Sequence, residues 1–155
     1  MELEKAQQIV AEVVKVLAPY CSRVEVAGSI RRRKPLVNDI DIVLIPSDTW
    51  NLTGEIARLG AVAAHGAKLQ RVQYQGAWID LYMATPETWA TLLLIRTGSK
   101  ENNIRLCSLA ERKGWRLAAN GDGLFDETGK RVAGDSEESI YQALGLSYQK
   151  PEDRG

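Results

Sequence analysis

The chain has 155 residues, of which 45% are hydrophobic and 26% are charged, a composition typical of a folded globular protein and not of a disordered one. Its 20 basic and 20 acidic residues cancel, which argues mildly against a tight nucleic-acid binder. No apolar run approaches the roughly 20 residues needed to span a membrane, and the N-terminus lacks the features of a signal peptide. Two distant cysteines, Cys21 and Cys107, are expected to be free thiols, so we expect a cytoplasmic protein.

The neutral total hides an uneven distribution of charge. Residues 31–34 are all basic, residues 96–116 carry a local charge of +4, and residues 122–139 carry a local charge of −4. Charge runs of this kind are usually solvated faces. The two basic regions are also where a polyanion would bind.

The first half of the chain is typical of an αβ unit with a mixed sheet. Amphipathic periodicity marks its helices, and runs rich in Ile and Val mark its strands. In chain order, the predicted elements are a helix over 3–18, strands over 24–27 and 39–45, a helix over 50–59, and a hairpin followed by a strand over roughly 77–83.

The character of the chain changes near residue 85, where Thr85 is expected to cap a helix that begins at Pro86. The elements predicted beyond it are helices over 86–96, 100–113 and 137–144, with short extended pieces near 115–118, 124–126 and 130–132. The expected fold class is therefore α+β, with a mixed or antiparallel sheet and flanking helices over 1–85 and a small helical-plus-β lobe over 86–155.

Three aspartates share a pattern on two of the predicted strands. Because side chains alternate along a strand, Asp39 and Asp41 lie on one face while Ile40 and its second neighbours lie on the other. Asp80 is a lone acid in an apolar strand and obeys the same alternation. If the two strands are neighbours, three carboxylates meet on one face and could hold two hard divalent ions, most naturally Mg²⁺.

An Asp-x-Asp pair on a strand is common, and alone it does not establish a metal site. The preceding segment "GSIRRRKPLVND" strengthens the hypothesis, because Gly28 and Ser29 permit a close approach by phosphate and Arg32 adds forked donors. Together these features favour a site for a nucleoside triphosphate.

The Gly-Ser pair, the arginines and the Asp-x-Asp ten residues after Ser29 resemble the nucleotidyltransferase superfamily that includes DNA polymerase β. The second half resembles the thumb of the family X DNA polymerases. It has a helix, a Thr97-Gly98-Ser99 turn, Asn103 four residues after the serine, and a glycine-punctuated segment that ends in Leu-Phe. The resemblance covers about residues 5–154.

The resemblance implies a template-directed DNA polymerase that extends a primer 3′-hydroxyl at short gaps or primer ends with two Mg²⁺ or Mn²⁺ ions. It makes Asp39, Asp41 and Asp80 the catalytic and metal-binding carboxylates, with Asp80 accepting the 3′-hydroxyl proton. The nucleotide-binding residues that it implies are Gly28, Ser29, Arg32, Asn38, Thr97, Gly98, Ser99 and Asn103. Weak contacts with DNA are assigned to Lys68, Lys100 and Arg105, while Arg31, Arg33 and Lys34 are expected to guide DNA or face water.

Several positions depart from the family pattern. Ile95 and Arg96 stand where two aromatic residues usually precede the Thr-Gly-Ser turn, so selectivity between deoxyribose and ribose is left open. Trp78 and Tyr82 flank Asp80 where arginines often stand, and Cys107 replaces a template-reading arginine. No helix-hairpin-helix pattern is present, so we expect a monomeric, minimal palm-plus-thumb form without lyase activity and with weak, salt-dependent binding to gapped or primed DNA.

Two other functions remain open at this point. One is a small nucleotidyltransferase that modifies RNA, a protein or a small molecule without a template. The other is a non-catalytic DNA-binding remnant, which the presence of all three carboxylates disfavours.

Overall fold

The chain forms six α-helices and eight strands in a computed structural model that describes residues 1–155. The helices are α1 Leu3–Leu17, α2 Gly28–Arg31, α3 Thr49–Leu59, α4 Trp89–Thr97, α5 Lys100–Arg112 and α6 Glu137–Ala143. The strands are β1 Cys21–Val26, β2 Ile40–Pro46, β3 Val62–His65, β4 Leu69–Tyr74, β5 Ala77–Met83, β6 Arg116–Ala118, β7 Gly123–Phe125 and β8 Arg131–Ala133. The predicted α+β class is confirmed.

The larger sheet has the strand order β1-β2-β5-β4-β3. Strands β2 and β5 run parallel, and every other neighbouring pair is antiparallel, so the sheet is mixed as predicted. Helices α1 and α3 cover one face, where 15 buried residues form the largest hydrophobic cluster. Helix α4 packs on the other face through a cluster of seven buried residues.

The alternation predicted for β2 is confirmed by the way the two clusters divide its residues. Ile40, Ile42 and Leu44 belong to the cluster under α1 and α3, whereas Val43 packs with α4 on the opposite face. Asp41 therefore lies on the face that looks towards the second half of the chain. Burying two ionised aspartates in the α1–α3 core would cost free energy. The strand therefore places its apolar side chains on the core face and its carboxylates on the opposite face.

The second half of the chain builds a three-stranded antiparallel sheet, β6-β7-β8, against α5 and α6. Nine buried residues, including Leu94 of α4 and Leu106 of α5, form its core. Helix α6 begins with a capping box in which Ser136 and Ser139 satisfy each other's backbone N–H groups. The boundary between lobes at residue 85 stays a prediction.

The predicted start of the helix at Pro86 is wrong, because α4 begins at Trp89. Thr88 Oγ1 accepts a hydrogen bond from the Thr85 N–H at 2.9 Å, and the Thr88 N–H donates to the Thr85 carbonyl at 3.1 Å. These bonds close a turn over 85–88 and so delay the helix by one turn. None of the helices has the length and hydrophobicity that a membrane crossing requires.

Candidate active site

A cavity of about 1000 Å³ opens between the Asp41 face of the sheet and helices α4 and α5. It brings together residues that are up to 83 positions apart in the chain, from Gly28 to Glu111. The predicted site residues that line it are Gly28, Ser29, Arg32, Asn38, Asp39, Asp41, Thr97, Gly98, Lys100 and Asn103. Asp80, Ser99, Lys68 and Arg105 are not among its lining residues.

Gly28 packs directly against the Asp41 carboxylate. The Ala27 N–H donates to the Asp41 carbonyl at 2.8 Å, which fixes the start of α2 beside β2. Gly28 has a φ of +60°, and a Cβ placed on it would lie 2.3 Å from Asp41 Oδ2. Only glycine fits this position, because any side chain would be strained and would displace the carboxylate.

Asp41 and Asp80 are direct partners across the parallel pair of β2 and β5. The two strands are therefore neighbours, which is the condition under which the aspartates were expected to meet on one face. Asp39 precedes β2 and is half-exposed, while Asp80 is nearly buried. The Tyr82 hydroxyl donates to Asp41 Oδ1 at 3.4 Å, a long bond that leaves the carboxylate mostly uncompensated.

The electrostatics of this face favour a cation. Burial, together with the neighbouring negative charges of Asp80 and Asp39, raises the pKa of Asp41 to about 6. Carboxylate oxygens are the ligands that Mg²⁺ and Mn²⁺ prefer, so the donor chemistry fits a divalent ion. As the side chains stand, no three His, Cys, Asp or Glu residues lie close enough together to hold a metal ion.

Arg71 of β4 binds two of the three carboxylates, those of Asp39 and Asp80. Its Nη1 donates to both Asp80 oxygens at 2.9 Å, and its Nη2 lies 3.3 Å from Asp39 Oδ2. The guanidinium also stacks on Trp78, with its Cζ atom 4.8 Å from the ring centroid. The Arg71 guanidinium thereby contacts two carboxylates and one aromatic ring.

Arg71 is a site residue that was not predicted from the sequence, although one signal was present. A two-residue Gln75-Gly76 turn pairs Tyr74 with Ala77, and counting back along both strands then pairs Arg71 with Asp80. Both turn residues have positive φ, which is typical of a tight hairpin turn.

The expectation that Arg31 guides DNA or faces water is wrong. Its guanidinium binds both Glu137 carboxylate oxygens, at 2.9 and 2.6 Å, and its Nη1 also donates to Thr97 Oγ1 at 2.9 Å. Arg154 Nη1 donates to Glu137 at 2.7 Å, and the Arg154 side chain is fully buried. We call Arg31, Glu137 and Arg154 the charge triad. It joins α2 to α6 and to the C-terminal segment.

The triad holds Glu137 in its ionised form. Burial opposes ionisation of this carboxyl, but the hydrogen bonds and charges of Arg31 and Arg154 outweigh burial and hold its pKa below the ordinary value. Arg33 behaves differently, since it is exposed and pairs with Glu152 at 3.3 Å near the surface. Neighbouring arginines of the basic run 31–34 therefore have different contacts: Arg31 belongs to the charge triad, whereas Arg33 forms a surface ion pair.

Arg32 lies at the edge of the cavity, between α2 and the Thr97-Gly98-Ser99 turn. Its Nη1 donates to the Thr97 carbonyl at 2.6 Å, while its buried Nε has no hydrogen-bond partner. Because an unpaired buried donor is costly, Arg32 retains capacity for an anionic ligand in the cavity.

Hydrogen bonds of Ser99 hold the Thr97-Gly98-Ser99 turn in place. Ser99 caps α5 by accepting from the Asn102 N–H at 3.2 Å, and its hydroxyl donates to the Arg154 carbonyl at 2.6 Å. The Ser99 hydroxyl is therefore already engaged in hydrogen bonds within the protein, and its contact with a nucleotide stays a prediction. Asn103 does face the cavity, where its Nδ2 donates to the Ile95 carbonyl at 2.8 Å and its Oδ1 has no partner.

The three predicted DNA contacts do not share one surface. Lys100 lies at the rim of the main cavity, at the start of α5. Arg105 borders a second cavity of about 460 Å³ beside the C-terminus, where it donates to Asn102 and Gln149. Lys68 is exposed just before β4.

Comparison with known proteins gives two matches. The family model for the DNA polymerase beta thumb matches residues 92–155. The DNA polymerase/3′-5′ exonuclease PolX of Bacillus subtilis (strain 168) is 30% identical over 135 residues, which cover 83% of this chain and 23% of that protein. The chain thus spans about a quarter of the length of this relative. Both matches point to one family, and the chain is similar to the family X DNA polymerases over most of its length.

Proposed function

We propose that this chain is the catalytic core of a template-directed DNA polymerase, which adds nucleotides to a primer 3′-hydroxyl at short gaps or primer ends. One observation carries the proposal. Asp41, whose register partner on the neighbouring strand is Asp80, lines the same cavity as Thr97 and Gly98 of the Thr-Gly-Ser turn. The similarity to a family X polymerase supports the choice of DNA and nucleoside triphosphates as substrates.

The nucleoside triphosphate would lie along the cavity. Gly28 permits its phosphates to approach the carboxylates, and Ser29 and Arg32 donate to the β and γ oxygens. Asn38 borders the same end, while Thr97, Gly98 and Asn103 border the sugar and base. The Asn103 Nδ2 carries two N–H donors, so one can donate to the edge of the base while the other keeps its bond to the Ile95 carbonyl.

Asp39, Asp41 and Asp80 would hold two Mg²⁺ or Mn²⁺ ions, which supply charge neutralisation at the triphosphate and lower the pKa of the attacking hydroxyl. Asp80 is the acceptor for the proton of the primer 3′-hydroxyl. Asp41, held between Gly28 and Tyr82, keeps its oxygens directed into the cavity.

Sugar selectivity in this proposal rests on Arg96. Its guanidinium stacks on Tyr82 at 4.3 Å, in the position where relatives are expected to carry an aromatic residue. A flexible, solvated cation closes the sugar side of the cavity less completely than a ring does, so we expect ribonucleotides to be accepted alongside deoxyribonucleotides.

Primer extension with matched variants tests the proposal. Asp80→Asn keeps the shape of the side chain but loses the charge and the proton acceptor, so extension should fall by about 10²–10⁴-fold, the usual contribution of a positioned acid or base. Asp135→Asn is the control, because Asp135 is exposed and pairs only with Arg131. Full activity of the Asp80 variant would refute the mechanism.

A further inference from the structure

Arg71 occupies the place where a cation would contact Asp80. It faces Asp80 directly across the antiparallel pair of β4 and β5. Its Nη1 engages both Asp80 oxygens, and its Nη2 reaches Asp39. A carboxylate whose two oxygens accept from a guanidinium has little capacity left for a metal ion on the same side.

The guanidinium has a second support that does not depend on the carboxylates. Its position over the Trp78 ring gives it a favourable place on the sheet even when an ion pair is lost. About a third of the Arg71 side chain is exposed, so it can move towards solvent without opening the core. These two features make Arg71 an exchangeable ligand of Asp39 and Asp80.

We propose that Arg71 is a built-in competitor of the divalent cation, which it keeps out of the Asp39–Asp80 pair until it is displaced. This inference rests on the proposed function, since it concerns the same carboxylates. Loading of the site then requires exchange of one positive group for another. In the metal-free protein, Arg71 prevents Asp39 and Asp80 from repelling each other.

Binding of Mn²⁺, measured by calorimetry without nucleotide or DNA, tests the competition. Arg71→Gln removes the competing guanidinium and should raise Mn²⁺ affinity about tenfold or more. Arg96→Gln is the matched control, because Arg96 carries the same charge near Asp41 but stacks on Tyr82 without contacting a carboxylate. At 0.15 M salt its effect should be at least about threefold smaller, because longer-range charge is screened.

The outcomes separate this inference from the proposed function. If Asp80→Asn weakens Mn²⁺ binding while Arg71→Gln leaves it unchanged or weaker, the competition is refuted and the proposed function stands. Equal gains from the Arg71 and Arg96 variants would also refute competition, since they would reflect net charge alone. If Asp80→Asn binds Mn²⁺ as the wild type does, the proposed metal site itself is wrong.

A measurement on the wild-type protein avoids any effect of substitution on folding. The Nε–H resonance of Arg71 can be followed by NMR as Mg²⁺ is added. Displacement predicts a shift of this signal and faster exchange with water, whereas the Arg31 signal should stay unchanged because Glu137 holds it. An Arg71 signal that does not change at saturating Mg²⁺ would contradict the proposal.

Discussion

Substitution of Glu137 by glutamine should destabilise the fold more than any other single loss of charge outside the cavity. Glu137 Oε2 accepts from Arg31 and from Arg154, and Oε1 accepts from Arg31 alone. Glutamine keeps one acceptor oxygen but turns an NH₂ group towards the guanidinium donors. With the glutamine oxygen at the Oε2 position, the Arg31 Nη2 contact is lost, the other two contacts lose the carboxylate charge, and two arginines remain without a counter-charge.

The size of the effect follows from burial. Removing one partner of a buried ion pair costs about 3–5 kcal/mol. Arg154 is fully buried, but the Arg31 side chain is 17% exposed and can recover some hydration. We therefore expect a loss near the lower limit, about 3 kcal/mol in the free energy of unfolding. For a chain of this size that loss corresponds to a fall in Tm of about 6–12 °C.

Urea denaturation at pH 7 measures this loss, and Glu138→Gln supplies the control. Glu138 is the next residue of the same helical turn and is exposed, so its substitution should change the free energy of unfolding by no more than about 1 kcal/mol. Equal effects of the two substitutions would show that the charge triad contributes nothing beyond the helix dipole.

Three further outcomes are expected. The pKa of Glu137 in the folded protein lies below its ordinary value of 4.5, so its ionised form stabilises the fold. This stabilisation should be complete above pH 4.5 and should fall as the pH drops through the lower, folded pKa. Urea titrations from pH 7 to 3 should therefore show a loss of unfolding free energy in the wild type that is missing in Glu137→Gln. Gly28→Ala should reduce primer extension at least about tenfold, since its Cβ would collide with Asp41, and full activity would contradict the close packing seen here. When the logarithm of the affinity for primed DNA is plotted against the logarithm of the salt concentration, Lys100→Ala should reduce the slope by about one. An equal reduction from Arg105→Ala would show that DNA also reaches the second cavity.

Local periodicity was sufficient to predict the sheet and the face of its aspartates. The alternation of Ile40 and Ile42 with Asp41 has one physical solution, because only one face of β2 can enter the α1–α3 core. The same reasoning placed Asp80 next to Asp41 once their strands were assumed to be neighbours. The start of α4 was missed, because the bonds between Thr85 and Thr88 outweigh the helical preference of a proline at the first position.

Contacts between distant parts of the chain could not be predicted in this way. Glu137 lies 106 residues from Arg31, and no local pattern distinguishes an arginine that binds it from one that faces water. Arg71 lay within reach of prediction, because the length of the Gln75-Gly76 turn fixes the register that pairs it with Asp80. The site was therefore predictable where periodicity or turn length determined it, and unpredictable where tertiary contacts did.

Addition of a single nucleotide to a primed and to a one-nucleotide-gapped DNA tests the central claim most directly. Four templates that differ only in the base to be copied are offered with each of the four deoxyribonucleotides and ribonucleotides in Mg²⁺. A template-directed polymerase should add the complementary nucleotide preferentially on each template, and Asp80→Asn should slow the addition by about 10²–10⁴-fold. Addition that ignores the template base would indicate a template-independent nucleotidyltransferase, and addition at the wild-type rate by the Asp80→Asn variant would contradict the catalytic role of the aspartates.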